Sequence, residues 1–491
     1  MPYNCVRTLA LAAGLGLAAT ACHGPPRYLG QAEDVLGVNT TWYGSDLRVY
    51  HIALENTRGL GLRVPGYLVG VENIHPADSR FLGVPDRLRL TGEHHVITHV
   101  MRYNLGEQPG ARGPVPTCAL FTLLDRPAPG NDPAAHLFER CAASFRPQVG
   151  TAAAATSDQA QGDAIAHFRA SLTDALAGGD YTDVVVMVMG WNTDQENALK
   201  NFNSLIGNML DEAAERAARD PGFAFRPLVV GVSWPSQWQL GQFSVVPDAV
   251  VRGVSFPFKR RDANDLGTYV LSDLVLHGIL VARDDAAKRK GPGAKHPRLV
   301  MIGHSFGARA LVTAMTQAPG GKPAVPPPEA TGFTPEDRIL LLEGAFEFQY
   351  LFGPGGELAP TLASGAPRVT MTASANDSAV AAAFWGWYAG DIRTYDQACR
   401  VNRERWDRLG VQVGQVGCGV AAGTAPDDYG LNLCTTDKRR PDPLRPLDGS
   451  PVRYIDASSL INCEPPLSGG GAHSDIFRRE TARFLRDKMR N

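Results

Sequence analysis

The sequence predicts an α/β protein in which helices flank a mostly parallel central sheet, with a small β-rich region at the N-terminus. The main observation is that, from about residue 163, helix-like segments alternate with short, wholly apolar runs, a pattern typical of buried parallel strands. The composition agrees, since 44% hydrophobic and 20% charged residues are ordinary for a globular protein. A chain of 491 residues is also long enough to bury a large core.

The chain divides into several predicted regions after its first residues. Residues 22–150 form a β-rich accessory region, in which short strand-like runs such as 47–52 and 95–100 are separated by turn signals. Residues 151–162 are rich in alanine and glutamine and are predicted as a linker that leads into a helix. Residues 163–491 form the α/β domain.

Strands of the central sheet are predicted from the apolar runs of the α/β domain. They cover residues 183–189, 227–234, 298–304, 338–343, 367–374 and 452–456. Residues 198–219 and 265–283, which lie between these runs, have helical patterns. Parallel strands need such crossover helices, so the alternation favours a parallel sheet.

The N-terminus resembles a bacterial export signal. Residues 1–21 begin with positive charge from Arg7 and the amino group, continue with an apolar stretch and end in small residues. These small residues stand directly before Cys22, as in the lipoprotein cleavage box, whose cysteine is lipidated and becomes the first residue. Ordinary cleavage nearby, with Cys22 incidental, is the alternative. We therefore expect an exported protein of the bacterial cell envelope, anchored to the membrane by a lipid on Cys22 and facing the periplasm or the cell surface.

Charge and histidine patterns argue against several other partners. The chain has 48 Lys and Arg against 50 Asp and Glu, and its basic runs are scattered, so nucleic acid is not expected as the main partner. No run of about 18 apolar residues follows the N-terminus, so no membrane-spanning helix is predicted. His94, His95 and His99 lack an acidic partner at metal-ligand spacing. We interpret them as surface or strand residues and predict no metal site.

The cysteine count agrees with export. Of the eight cysteines, Cys5 would be removed with the signal and Cys22 would be lipidated, which leaves an even number. An oxidising compartment favours disulfides among these six, although they allow 15 pairings and free buried thiols are the alternative. They are Cys118, Cys141, Cys399, Cys418, Cys434 and Cys463. Sequence proximity favours the pair Cys118–Cys141.

One motif carries chemistry. The predicted strand 298–304 leads into Gly303-His304-Ser305-Phe306-Gly307, which is G-x-S-x-G at the point where a strand turns into a helix. Glycines flank the serine because such a sharp turn leaves no room for side chains. The turn would expose the hydroxyl of Ser305 as a nucleophile, with the backbone N–H of Phe306 facing the oxyanion. We interpret His304 as part of the turn rather than as the base, since neighbours on a strand end point apart.

With this motif, the last 330 or so residues resemble the α/β-hydrolase superfamily. They are similar to bacterial hydrolases of largely unknown substrate that carry an H-G-W-N-like turn, a strand ending in S-W-P-S and a G-H-S-x-G elbow. These segments occur here as 189–192, 233–236 and 303–307, with Met189 in the place of the histidine. The resemblance implies the α/β-hydrolase fold and a second oxyanion N–H from Trp191. No cofactor is expected.

The superfamily order is nucleophile, acid, histidine. His473 is the one histidine after the last predicted strand, on a glycine-rich loop that opens the final helix, from which a general base can reach the serine. Asp377 follows the fifth predicted strand, where the resemblance places the carboxylate that orients the histidine. Glu343 and Asp456, which also end strands, are alternatives, and Asp377 could instead have only a capping role.

We therefore predict an exported serine hydrolase that cleaves a small-molecule or lipid ester through Ser305, His473 and Asp377. Residues 381–450 are long for a simple connection and are predicted either as a lid or part of the acyl pocket, or as a disulfide-linked surface insertion. A non-catalytic binding or scaffold lipoprotein and an acyltransferase are the alternative functions. The sequence does not indicate the oligomeric state.

Overall fold

The structure is a computed structural model. It describes residues 61–73, 95–103, 105–106, 117–122, 141, 157–191, 193, 195–236, 248–316, 332–351, 359, 366–381, 388–392, 421–424, 452–462 and 472–489. The predicted signal, Cys22, the run 47–52 and most of 381–450 lie outside these residues. The same is true of Cys399, Cys418, Cys434 and Cys463.

A ten-stranded sheet forms the centre of the described structure, in the order β3-β2-β1-β5-β4-β6-β7-β8-β10-β9. The strands are β1 Gly66–Asn73, β2 His95–Tyr103, β3 Thr117–Thr122, β4 Asp183–Val188, β5 Pro227–Ser233, β6 Arg298–His304, β7 Arg338–Leu342, β8 Arg368–Ala373, β9 Ala421–Thr424 and β10 Val452–Asp456. Only β1–β2 and β2–β3 pair antiparallel. The predicted α/β class with a mostly parallel sheet is confirmed, and all six predicted strands of the α/β domain are present.

Helices cover both faces of the sheet. They are α1 Ser157–Gly178, α2 Gln195–Arg219, α3 Asp248–Asp265, α4 Val281–Lys290, α5 Phe306–Thr316, α6 Ser378–Ala381 and α7 Arg479–Lys488. Two π-helical segments, Leu266–Leu271 and Leu274–Leu280, connect α3 with α4. Successive residues of the strands alternate between two cores, one with α2 and α7 and the other with α1, the segments from α3 to α4, and α5.

The described strands of the β-rich region 22–150 belong to the central sheet. The strand β1 pairs in parallel with β5 and brings β2 and β3 into the same sheet. The reason is that β1 is apolar on both faces, so it must be covered twice; Tyr67 packs edge-on against Phe168 of α1 and bonds Ser171. The predicted linker 151–162 is also shorter than expected, since α1 begins at Ser157 and alanine and glutamine favour helix.

Two further features bear on the expectations from sequence. Cys118 and Cys141 form a disulfide, the local pair that the spacing favours. Among the described residues, Lys259–Lys290 is the one helical stretch long and apolar enough to cross a membrane, and 61% of its apolar window is buried inside the protein. Burial of this kind is found in core helices of globular domains, where an all-round apolar surface is covered by neighbours.

The strand order directs attention to one edge of the sheet. From β4 the chain moves to β5 on one side, then returns to β6 on the other side of β4, and continues outward to β7 and β8. Ligands of open α/β sheets bind at the carboxyl ends of strands at such a switch point. The turns after β4 and β6 are therefore the expected position of a site.

Candidate active site

Ser305 stands at the switch point, between β6 and α5. Its φ of 56° lies in the left-handed region, which is strained for a residue with a side chain. The backbone of the turn after β7 holds it there, because Ser305 N–H donates to Leu342 O at 3.0 Å and Ala345 N–H donates to Ser305 O at 3.2 Å. A Cβ on Gly307 would lie 2.0 Å from Val188 O, so the helix can approach β4 only with glycine at that position. This is the geometry of a nucleophile elbow.

Asp377 and His473 form a hydrogen bond near the same edge of the sheet. His473 Nδ1–H donates to Asp377 Oδ2 at 2.7 Å, and both side chains are buried. The other carboxylate oxygen, Oδ1, accepts the N–H groups of Ala379 and Val380 at 3.0 and 3.2 Å. Asp377 thus caps α6 and contacts the histidine at once, so the capping role and the orienting role are compatible.

The loop that carries His473 is held on both sides. Ala472 N–H donates to Asn376 O at 2.9 Å, which ties the loop to the turn of Asp377. On the other side, His304 Nε2–H donates to the backbone oxygen of His473 at 2.9 Å. Burial, and then the neighbouring His473, lower the pKa of His304 to about 3, so it remains neutral at physiological pH. His304 therefore contacts the backbone of the histidine loop, in agreement with its interpretation as part of the turn.

The turn after β4 lies directly beside Ser305. A Cβ on Gly190 would be 2.5 Å from Ser305 Cβ and 3.0 Å from Ser305 Oγ, so this turn and the serine are in close contact. Trp191 follows and is half-buried. The backbone N–H of Phe306, in the first turn of α5, has no partner within its helix. Of the two predicted oxyanion residues, Phe306 thus follows the serine directly, and Trp191 follows the glycine that contacts it.

Met189, where the resembling hydrolases have histidine, is buried in the core that includes Ile302 and Leu342. Its backbone oxygen accepts the indole N–H of Trp234 at 2.8 Å. Methionine supplies this carbonyl as well as histidine does, so the substitution leaves the support of the turn intact.

Trp234 and Ser236 belong to the S-W-P-S segment and support the turn after β4, a role that was not predicted from the sequence. The hydroxyl of Ser236 accepts from Thr193 N at 2.9 Å and donates to Thr193 O at 2.6 Å, while Trp234 holds Met189. The two residues therefore fasten both ends of the turn that carries Trp191. The sequence signal for this role was a tryptophan and a serine, both able to form hydrogen bonds, placed directly after the strand β5.

A cluster of three aromatic side chains lies around the turns that flank Ser305. The ring of Phe256 from α3 packs edge-on against Trp191, with centroids 5.2 Å apart, and tilts onto Phe306 at 4.8 Å. Phe256 and Phe306 are buried and Trp191 is half-buried. An apolar wall of this kind can contact the apolar part of a small-molecule ligand.

One hydrogen bond expected between the predicted catalytic residues is not formed. Ser305 and His473 are both described, and no hydrogen bond links their side chains. Catalytic hydrogen bonds of this kind are often long without substrate and shorten when it binds. Of the alternative acids, Asp456 accepts two bonds from Ser458 and Glu343 bonds Thr372, and neither contacts His473.

Among the described residues, no group of three or more His, Cys, Asp or Glu side chains is arranged to hold a metal ion. Comparisons with protein-family models, with curated protein sequences and with solved structures found no match for this chain.

Proposed function

We propose that this chain is a serine hydrolase of the carboxylesterase or lipase type, built on an α/β-hydrolase fold. The observation that carries the proposal is the hydrogen bond between His473 Nδ1 and Asp377 Oδ2, formed at the sheet edge where Ser305 occupies a strained elbow. The chain order Ser305, Asp377, His473 is the order of that superfamily.

In the proposed reaction, Ser305 Oγ attacks the carbonyl carbon of an ester while His473 Nε2 accepts the hydroxyl proton. The backbone N–H groups of Phe306 and Trp191 stabilise the negative charge on the carbonyl oxygen. The C–O bond to the alcohol breaks, and His473 returns the proton to the departing alkoxide. Water then attacks the acyl-enzyme by the same steps and releases the acid and free Ser305.

The substrate class and the location belong to the same proposal. The aromatic wall of Trp191, Phe256 and Phe306 favours an apolar acyl group, so we propose a small-molecule or lipid ester. Export and lipidation at Cys22 would bring the site to a membrane surface where such esters occur.

A non-catalytic binding protein is the second candidate. It is favoured by the absence of a hydrogen bond between the described side chains of Ser305 and His473. A transferase that passes the acyl group to an acceptor other than water would share the same acyl-enzyme.

The test is labelling of the purified mature protein with a fluorophosphonate probe, followed by hydrolysis of short and long esters. We expect labelling of wild type and none of Ser305→Ala or His473→Ala. Ser272→Ala is the matched serine control, because its hydroxyl bonds only Thr268 O in its own helix. Exposed His296 gives the histidine control, His296→Ala. A folded wild type that neither labels nor hydrolyses any ester would favour the binding protein.

A further inference from the structure

Glu343 occupies an unusual position immediately behind the candidate site. It follows β7 with a φ of 47°, and so shares the left-handed backbone of Ser305 on the neighbouring strand end. Leu342, directly before Glu343, accepts the backbone N–H of Ser305, and Ala345, two residues after Glu343, donates its N–H to the backbone oxygen of Ser305. The turn that contains Glu343 therefore supports the nucleophile directly, and a strained backbone of this kind is a reason to look for function.

The carboxyl group of Glu343 is completely buried and poorly paired. Glu343 Oε1 accepts the hydroxyl of Thr372 at 3.2 Å, while Oε2 has no donor among the described residues. No Lys, Arg or His side chain in the described part of the chain forms an ion pair with the group. Asp377 lies within side-chain hydrogen-bonding reach instead. Two carboxylates in contact cannot both be ionised without a large cost, because burial and like charge each disfavour the second charge.

A proton on Glu343 resolves both problems. It removes the second charge, and it gives the carboxyl group of Glu343 a donor, for which the carboxylate of Asp377 is an acceptor within reach. Burial, then the charge of Asp377, raise the pKa of Glu343 well above its ordinary value, and Asp456 acts in the same direction. Asp377 must be the ionised partner, since it accepts the His473 N–H and two backbone N–H groups.

We propose that Glu343 is a positioning residue that stays protonated at neutral pH and donates a hydrogen bond to Asp377, so that the pair carries one negative charge behind His473. This inference rests on the proposed function. A hydrogen bond donated by Glu343 partly offsets the negative charge of Asp377, and so moderates how strongly Asp377 stabilises the protonated form of His473. The groups that face Glu343 are Asp377 from the turn after β8, Thr372 from β8 and Asp456 from β10.

Two variants of similar size separate the roles of proton and charge. Glu343→Gln keeps a donor towards Asp377 and an acceptor for Thr372 but cannot ionise. Glu343→Met fills a similar volume with no donor. Both share the left-handed backbone with wild type, so its strain affects them alike.

We expect Glu343→Gln to retain Ser305 labelling within about threefold, and Glu343→Met to lose about tenfold at neutral pH, the size expected for a hydrogen bond to a charged group. The acidic limb of the pH–rate profile should shift to higher pH in Glu343→Met and stay in place in Glu343→Gln. An equal loss in both variants would mean that an ionised Glu343 is required. Full activity in Glu343→Met would also overturn the inference.

A second measurement does not depend on activity. In protein labelled with ¹³C at the glutamate carboxyl carbon, we expect one NMR signal of a protonated carboxyl at pH 7 that disappears in Glu343→Gln. Its absence from wild type would overturn the inference. If the signal is present but wild type does not label at Ser305, the proposed function fails while the protonation of Glu343 stands.

Discussion

Two buried glutamates in this protein are treated in opposite ways. Glu212 of α2 is completely buried, and three arginines of α7 contact its carboxylate. They are Arg479 at 2.6 Å, Arg483 at 2.8 Å and Arg486 at 3.4 Å. Glu343, equally buried, contacts Thr372 and lies beside another acid. The first group joins two helices, and the second lies behind the candidate catalytic histidine.

Their pKa values diverge for this reason. Burial raises the pKa of Glu212, but the bonds and charges of Arg483 and Arg479 outweigh it, and the net shift is downward. Burial and Asp377 both raise the pKa of Glu343. The comparison indicates that charge is compensated where the protein needs a rigid helix contact, and left uncompensated where a proton could be used.

The largest expected effect is the loss of activity on substitution of Asp377, the acid beside Glu343 at the candidate site. Asparagine caps a helix as well as aspartate does, so Asp377→Asn should preserve the bonds to Ala379 and Val380 and leave stability nearly unchanged. It cannot select the tautomer with a proton on His473 Nδ1 as a carboxylate does. We expect hydrolysis and labelling to fall by about 10³- to 10⁴-fold. A variant with near wild-type kcat/KM would show that Asp377 only caps.

The second prediction concerns Glu212, whose ion pairs join α2 and α7, and it is tested with the variant Glu212→Ala. This change removes the buried carboxylate that all three arginines of α7 contact, and Arg486 keeps a carboxylate partner within the helix, that of Asp487 at 2.6 Å. We expect the free energy of unfolding to fall by about 3 kcal/mol. Urea denaturation measures it, with Glu215→Ala as control, because that side chain is half-exposed where it contacts Arg479. Labelling per folded molecule should not change. A loss no larger than that of the control would mean that the arginines are satisfied without Glu212.

The two glutamates should also differ in how the free energy of unfolding depends on pH. The matched variants Glu343→Gln and Glu212→Gln, which cannot ionise at these positions, separate the two cases. Glu343 has a raised folded pKa, so wild type loses stability relative to Glu343→Gln as pH rises above about 4.3, its unfolded value. Glu212 has a lowered folded pKa, so its advantage over Glu212→Gln is present above about 4.3 and is lost as pH falls through the folded pKa.

Urea denaturation at pH 4 and pH 7 tests both signs. We expect Glu343→Gln to gain about 3 kcal/mol relative to wild type between the two pH values, because a carboxyl that stays protonated in the fold at pH 7 costs about 1.4 kcal/mol for each pH unit above its unfolded pKa. Glu212→Gln should lose stability relative to wild type over the same interval. Parallel pH dependence in the two variants would remove the distinction between the two sites.

Sequence patterns were sufficient for the elements that are apolar on both faces. The strand β4, DVVVMV, and the strand β6 before Ser305 are continuous apolar runs, and such runs are distinctive. The strand β9, AAGT, is short and weakly apolar and was not predicted. The strand β1 contains two glycines, and no helical sequence pattern next to it indicated a parallel crossover. Its parallel partner β5, more than 150 residues away, therefore could not be inferred.

The candidate site shows the same limit. Chain order and local motifs were enough to select Ser305, Asp377 and His473, because each is tied to the end of a predicted strand or the start of a helix. The contacts of Trp234 with Met189, of His304 with the His473 backbone, and of Glu343 with Asp377 depend on which strands are neighbours. Neighbour relations across a sheet follow from topology, which a single sequence encodes only weakly.

The smallest expected effect on activity comes from substitution of His304, a neutral side chain at the same edge of the sheet as Glu343 and Asp377. Its Nε2–H bonds His473 O at 2.9 Å, and glutamine can donate a similar bond, so we expect His304→Gln to lower kcat/KM by only about threefold. With its pKa lowered to about 3, chiefly by burial, His304 does not titrate near neutrality, and the limbs of the pH–rate profile should not move. Exposed His296→Gln is the control and should match wild type. A loss as large as that of His473→Ala would assign the base to His304, and the Glu343–Asp377 pair would then lie behind a histidine that only orients it.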